Sequence, residues 1–161
     1  MNAELLATLT SWTLLANVAA TFYLVGLIWF VQRVHYPLFS EVGEQQFAAY
    51  ERAHVTRTTP VVAPAMLIEA GTAAVLVLVP PAGIPVHLTW IGLGLVVAIW
   101  LSTFSLQVPR HDELRGGFDA RAHAQLVGTN WIRTVLWTLR GMLCLWMLVE
   151  ITDVAARAFR G

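Results

Sequence analysis

The chain has 161 residues, of which 57% are apolar and 12% charged, with a formal net charge of zero. That length allows one domain and no separate soluble module, and a soluble surface would need roughly twice the charge. Nothing basic enough to hold nucleic acid is present, and the single cysteine, Cys144, excludes an internal disulfide and a cysteine-rich zinc site.

The mean hydropathy of +0.64 points to membrane spans, and four apolar runs approach the ~20 residues that cross a bilayer as a helix. The N-terminus, with Glu4 as its only charge and no basic region, does not read as a signal peptide. The first span covers about 12–32. A long polar connection, 33–60, follows it, holding His35, Tyr36, Glu51, His54 and three Arg. Within it Phe47, Tyr50, His54 and Arg57 recur at three- and four-residue spacing, which predicts an amphipathic helix over Glu44 to Thr58, lying at the interface. Pro60 and Pro64 mark its join to the second span, 61–79, which contains Glu69.

A proline-rich turn, Pro80 to Pro85, closes a hairpin to the third span, 86–106. The second polar connection, 107–130, contains Pro109, which predicts a kink, and Asp119 to Gly128, which reads as a short helix. The fourth span, 131–149, contains Arg140. In a four-span chain the two polar connections share one face. They carry Arg33, Arg52, Arg57, Arg110, Arg115 and Arg121, against Arg157 and Arg160 opposite, so the positive-inside rule places both connections in the cytoplasm and both termini outside. The expected fold is therefore all-α, a multi-pass four-helix bundle in the cell membrane, with lipid as its surroundings. The sequence does not bar a homo-oligomer.

Ionisable groups inside a span mark functional sites by default. Glu69 lies ~12 Å into the second span at 1.5 Å per residue, and Arg140 lies at similar depth in the fourth, so the two can pair. Arg133, nearer the surface, competes for that role. Asn130, Arg133, Trp137, Arg140 and Cys144 form one stripe that should face the bundle interior. Four histidines, His35, His54, His111 and His123, fall on the polar face. Glu51-x-x-His54 puts two metal-ligand types on one helical face, like half of a di-iron carboxylate site; a second Glu-x-x-His is missing.

The run Leu106-Gln107-Val108-Pro109, then Leu114, then Asn130-Trp131-Ile132-Arg133-Thr134 resembles the small four-helix membrane proteins related to fungal anthrone oxygenases. In that family the third span ends in Val-Pro-Leu-Asn-Asn and the fourth opens in Trp-Asn-His-x-Arg-Thr. Here Arg110-His111 follows Pro109, and Trp131-Ile132 stands between Asn130 and Arg133. The likeness covers the last third of the chain. It implies an oxygenase or oxidase of a lipophilic, electron-rich aromatic, working without a cofactor, and it carries over Gln107, Pro109, Asn130, Arg133 and Thr134.

Three readings are open. In the first, a membrane oxidoreductase uses His54 or His111 as general base, and Arg133 and Arg140 stabilise the developing phenolate or enolate. Glu69 orients an Arg or relays a proton, while Tyr50, Gln107, Asn130, Trp131 and Trp137 line the substrate site. In the second, His35, Glu51, His54, Glu69 and His111 hold a transition metal (iron, copper or zinc); a haem between two facing histidines is disfavoured. In the third, the polar stripe is helix–helix glue in an assembly partner or small transporter.

Overall fold

The computed structural model describes residues 2–158; Arg160, counted above on the C-terminal tail, lies outside them. Every regular element among these residues is helical, and four helices are long and apolar enough to cross a membrane. The first, α1, spans Ala3–Phe30. It opens on Asn2, whose side-chain oxygen accepts the Leu5 N–H at 2.9 Å, a standard N-cap. It does not stop at Phe30 but passes through a π-helical turn, Val31–His35, and a 3₁₀ turn, Pro37–Glu41.

Helix α2 runs unbroken from Glu44 to Leu78 through Pro60 and Pro64. The amphipathic stretch expected as a separate interfacial helix is therefore the first part of the second long helix. Helix α3 covers Val86–Ser102, passes through a second π turn, Thr103–Gln107, and continues as α4, Val108–Leu114. Pro109 sits in the first turn of α4, where its missing N–H costs nothing. Helix α5 takes Ala120–Ala158 in one piece, so the short helix expected over Asp119 to Gly128 is its first turns. Asp119 caps it by accepting the Ala122 N–H at 2.7 Å. The α2–α3 turn needs Gly83, whose φ of 87° favours a residue without a Cβ.

At 1.5 Å per residue α2 is ~52 Å long and α5 ~58 Å, against a hydrocarbon layer of ~30 Å. The surplus of α2 lies on the side of the two polar connections, and that of α5 is divided between its two ends. The four long helices pack in the cyclic order α1, α2, α3, α5, each against two neighbours. Leu67, Leu101, Met142 and Trp146 stand exposed on the outer surface, the arrangement lipid solvation requires.

The interior has three layers. Leu24, Ile28, Phe39, Phe47, Ile99, Leu126 and Trp137 form an apolar cluster toward the polar connections. Leu14, Leu76, Leu88, Cys144 and Met147 form another at the opposite end. Between them lies a polar layer of Asn17, Thr21, Glu69 and Arg140, all fully buried.

Candidate functional site

The two π turns fall at the same level, one on α1 and one between α3 and α4, and there the two polar connections meet. The wider π turn advances the side chains after it relative to an α ladder. It carries Tyr36 to the centre of the bundle mouth, buried at 4% exposure. Opposite it, α4 presents His111. The Tyr36 hydroxyl lies 2.8 Å from His111 Nε2, and His111 Nδ1 lies 2.6 Å from Glu51 Oε1 on α2. Glu51 is fully buried, and its other carboxylate oxygen has no hydrogen-bond partner.

With Glu51 ionised the tautomer is fixed: Nδ1–H donates to the carboxylate, and Nε2 accepts the Tyr36 O–H. Arg133 Nη2 donates to the same Tyr36 oxygen at 3.3 Å. Burial pushes the Tyr36 phenol above its ordinary range, and the Arg133 guanidinium pulls against that shift. Arg133 is itself held through Nε, 2.9 Å from Asn130 Oδ1. Asn130 in turn donates to Gln32 Oε1 at 2.8 Å. Among the described residues no carboxylate pairs with Arg133.

A second imidazole pair adjoins the first. His35 Nε2 lies 2.8 Å from His54 Nδ1, and the Thr58 hydroxyl reaches the same Nδ1 at 3.1 Å. His54 stacks on His111, with ring centres 5.2 Å apart. Burial first, then the neighbouring His111 and His35, push His54 down to about 3, so it is neutral at ordinary pH; burial likewise lowers His35. Both histidines lie in the first polar connection, outside the apolar spans that flank it. His123 does not join the group, its Nε2 bonding the Tyr36 carbonyl at 2.8 Å.

These groups end on a cavity of about 390 Å³ between α1, α2, α3–α4 and α5, a volume suited to a small organic ligand. Tyr36, His54, His111 and Arg133 line its polar end, and Leu24, Ile28, Met66, Trp100 and Trp137 its apolar body. It opens between α2 and α3–α4, where Thr59, Phe104 and Val108 are exposed wall residues.

His54, His111 and Arg133 thus share one wall. Glu69 and Arg140 lie apart, behind Trp137. Trp137 Nε1 donates to Glu69 Oε2 at 3.0 Å, and Thr21 donates to Oε1 at 2.7 Å. Arg140 Nε stands 3.7 Å from Glu69 Oε1, with Nη2 bonded to Asn17 Oδ1 at 2.6 Å. Asn17 belongs to this layer, and Arg133 is not Glu69's partner. Of the five residues expected around a substrate, Trp137 is on the cavity wall. Gln107 is tied to Ser102 and Thr129, and Asn130 supports Arg133 from behind. Tyr50 packs against Phe39, and Trp131 sits edge-on to Trp29 at the surface.

The five proposed metal ligands do not converge, because Glu69 is committed to the deep layer. Among the described residues no three His, Cys, Asp or Glu side chains are placed to hold a metal ion. The chain matches no protein-family model, no curated protein and no solved structure. Sequence spacing does not single out Tyr36 as a site residue. The His-Tyr-Pro-Leu-Phe run is conspicuous, but the π turn that aims the phenol inward has no periodic signature.

Proposed function

We propose that this chain is a membrane oxidoreductase of the oxygenase type that ionises a lipophilic phenol or enol in the cavity and exposes it to dioxygen. The observation that carries this reading is the unbroken chain Glu51–His111–Tyr36–Arg133 ending on an apolar cavity. A substrate hydroxyl beside Tyr36 passes its proton to the phenol oxygen as Tyr36 hands its own to His111 Nε2. The imidazolium so formed is stabilised by Glu51, the role a carboxylate plays behind a catalytic histidine. Arg133, preorganised by Asn130 and lacking a carboxylate of its own, faces the oxyanion as it develops.

An electron-rich enolate is the species that reacts with dioxygen without further activation. An activated methylene and one dioxygen molecule balance to one carbonyl and one water. The carbon loses both hydrogens and is oxidised, one oxygen atom stays on it as the carbonyl, and the other leaves reduced as water. The resemblance to anthrone oxygenases supports the same chemistry. The exposed cavity opening supports delivery of substrate from the bilayer, and the Arg distribution supports a cytoplasmic position for this face.

The test uses a long-chain 4-nitrophenol, whose absorption moves to the red on ionisation, added to the detergent-solubilised protein below the probe's own pKa. Bound probe is expected in the phenolate form. Tyr36→Phe and His111→Gln should return it to the neutral form with binding retained. A probe that binds but stays neutral in the native protein would defeat the proposal.

A further inference from the structure

A second cavity, of about 260 Å³, lies deeper in the span, in the groove between α2 and α3. Ala70 of α2 and Leu93, Val96 and Val97 of α3 line it, and every side chain on it is apolar. It shares two wall residues with the cavity at the bundle mouth, Trp100 and Phe104, whose ring centres are 5.4 Å apart. Phe104 is exposed, so the two spaces adjoin on the side where the first one opens. Trp100 is the partition, and no polar contact fixes it. The indoles of Trp29, Trp137 and Trp146 donate to Thr138, Glu69 and Glu150, whereas the buried Trp100 Nε1 has no partner among the described residues. A ring held by apolar packing alone turns aside without breaking a hydrogen bond. Polarity falls along this path in the order in which it falls along an amphiphile. His111 and Arg133 stand at the top, Trp100 and Phe104 between, and Leu93 at the bottom. From Leu93 to His111 the helix rises ~27 Å at 1.5 Å per residue.

We infer that the ligand is a phenol or enol bearing a long alkyl or prenyl chain, with its ring in the first cavity and its chain passing over Trp100 and Phe104 into the groove. The inference rests on the proposed ionisation and names its substrate class. Such a molecule lies in a bilayer with its hydroxyl at headgroup level and its chain inward, so it enters between α2 and α3–α4 without turning over. The groove selects by shape. A chain gains nothing by leaving lipid for an apolar wall unless it packs there, and a compact phenol leaves the groove to bulk lipid.

The probe is the long-chain 4-nitrophenol carrying a diazirine at the end of its chain. It is irradiated on the detergent-solubilised native protein, and labelled residues are read by peptide mass spectrometry. Label is expected on Ala70, Leu93 and Val97, and an excess of the same phenol without the diazirine should suppress it. Label spread over the outer helix faces and unmoved by the competitor overturns the inference, because the chain then lies in the micelle. Ala70→Phe fills the groove. It should weaken the long-chain phenol about tenfold and leave an ethyl-substituted one within about threefold of its native affinity; an unchanged affinity for the long-chain phenol also overturns the inference. The colour of the bound ring reports ionisation separately. A chain labelled elsewhere with its ring still ionised removes the tail site alone, whereas a ring bound neutral with its chain in the groove removes the ionisation reading alone. Failure of the native protein to bind either phenol removes both.

Discussion

Two residues at the bundle mouth have opposite needs. Arg133 spreads its N–H groups over Asn130, Tyr36 and Thr103, whereas His54 stays neutral because burial and two neighbouring imidazoles disfavour its cation. That asymmetry has a pH consequence. An unfolded chain protonates His54 near 6.5, and the folded chain does so only near 3. Between those values the unfolded state binds the extra proton, so stability rises with pH across the window. The contribution is complete above 6.5 and is lost as the pH falls toward 3, and His35, also lowered by burial, acts in the same sense. Thermal unfolding in detergent should therefore show a midpoint that falls on acidification from neutrality. His54→Gln should flatten that slope, and an unchanged slope would mean that His54 is solvated.

On the scale of whole helices, the deep polar layer ties α1, α2, α3 and α5 at one level. Glu69 of α2 is bonded from α1 by Thr21 and from α5 by Trp137, and Arg140 of α5 reaches Asn17 of α1. Arg140 also lies over Gly92 of α3, where a Cβ would come 2.5 Å from Nη1. Removing one member of a buried ion pair strands the other, so Arg140→Leu should cost about 3–5 kcal/mol. Adding Glu69→Gln to that variant should restore part of the loss, which a double-mutant cycle by denaturant unfolding would read directly. Strict additivity would show that the two charges are independent. Gly92→Ala should cost about 1–3 kcal/mol by crowding a side chain that Asn17 pins in place.

Across the whole molecule, the apolar runs were legible because lipid imposes a length and a composition that no polar residue can dilute. The same rule made Glu69 and Arg140 conspicuous, and their equal depth came from helix rise alone. What sequence could not supply was continuity. Glu44 to Thr58 looks like a separate amphipathic helix, since its polarity differs from that of the stretch beyond Pro60. The backbone nevertheless continues through both prolines, because a proline within a long helix bends or strains the ladder without always ending it. Nor could spacing show that Gln107 and Asn130 turn toward neighbouring helices and not into a cavity, since that depends on which helices flank which.

The two π turns set which side chains reach the bundle mouth. Tyr36 N–H reaches back five residues to the Val31 carbonyl, and Val108 N–H does the same to Thr103. Each turn therefore holds one residue more than an α ladder would need. Excising exposed Val34 and Ser105, one from each, would let both ladders close as ordinary α-helix and swing the side chains beyond each turn by about 100° per deleted residue. Such a shortened chain should keep its helical circular dichroism and lose the proposed ionisation of a bound phenol. Tyr36 and His111 would then point away from each other, so the bond between them is set by two exposed residues of the π turns.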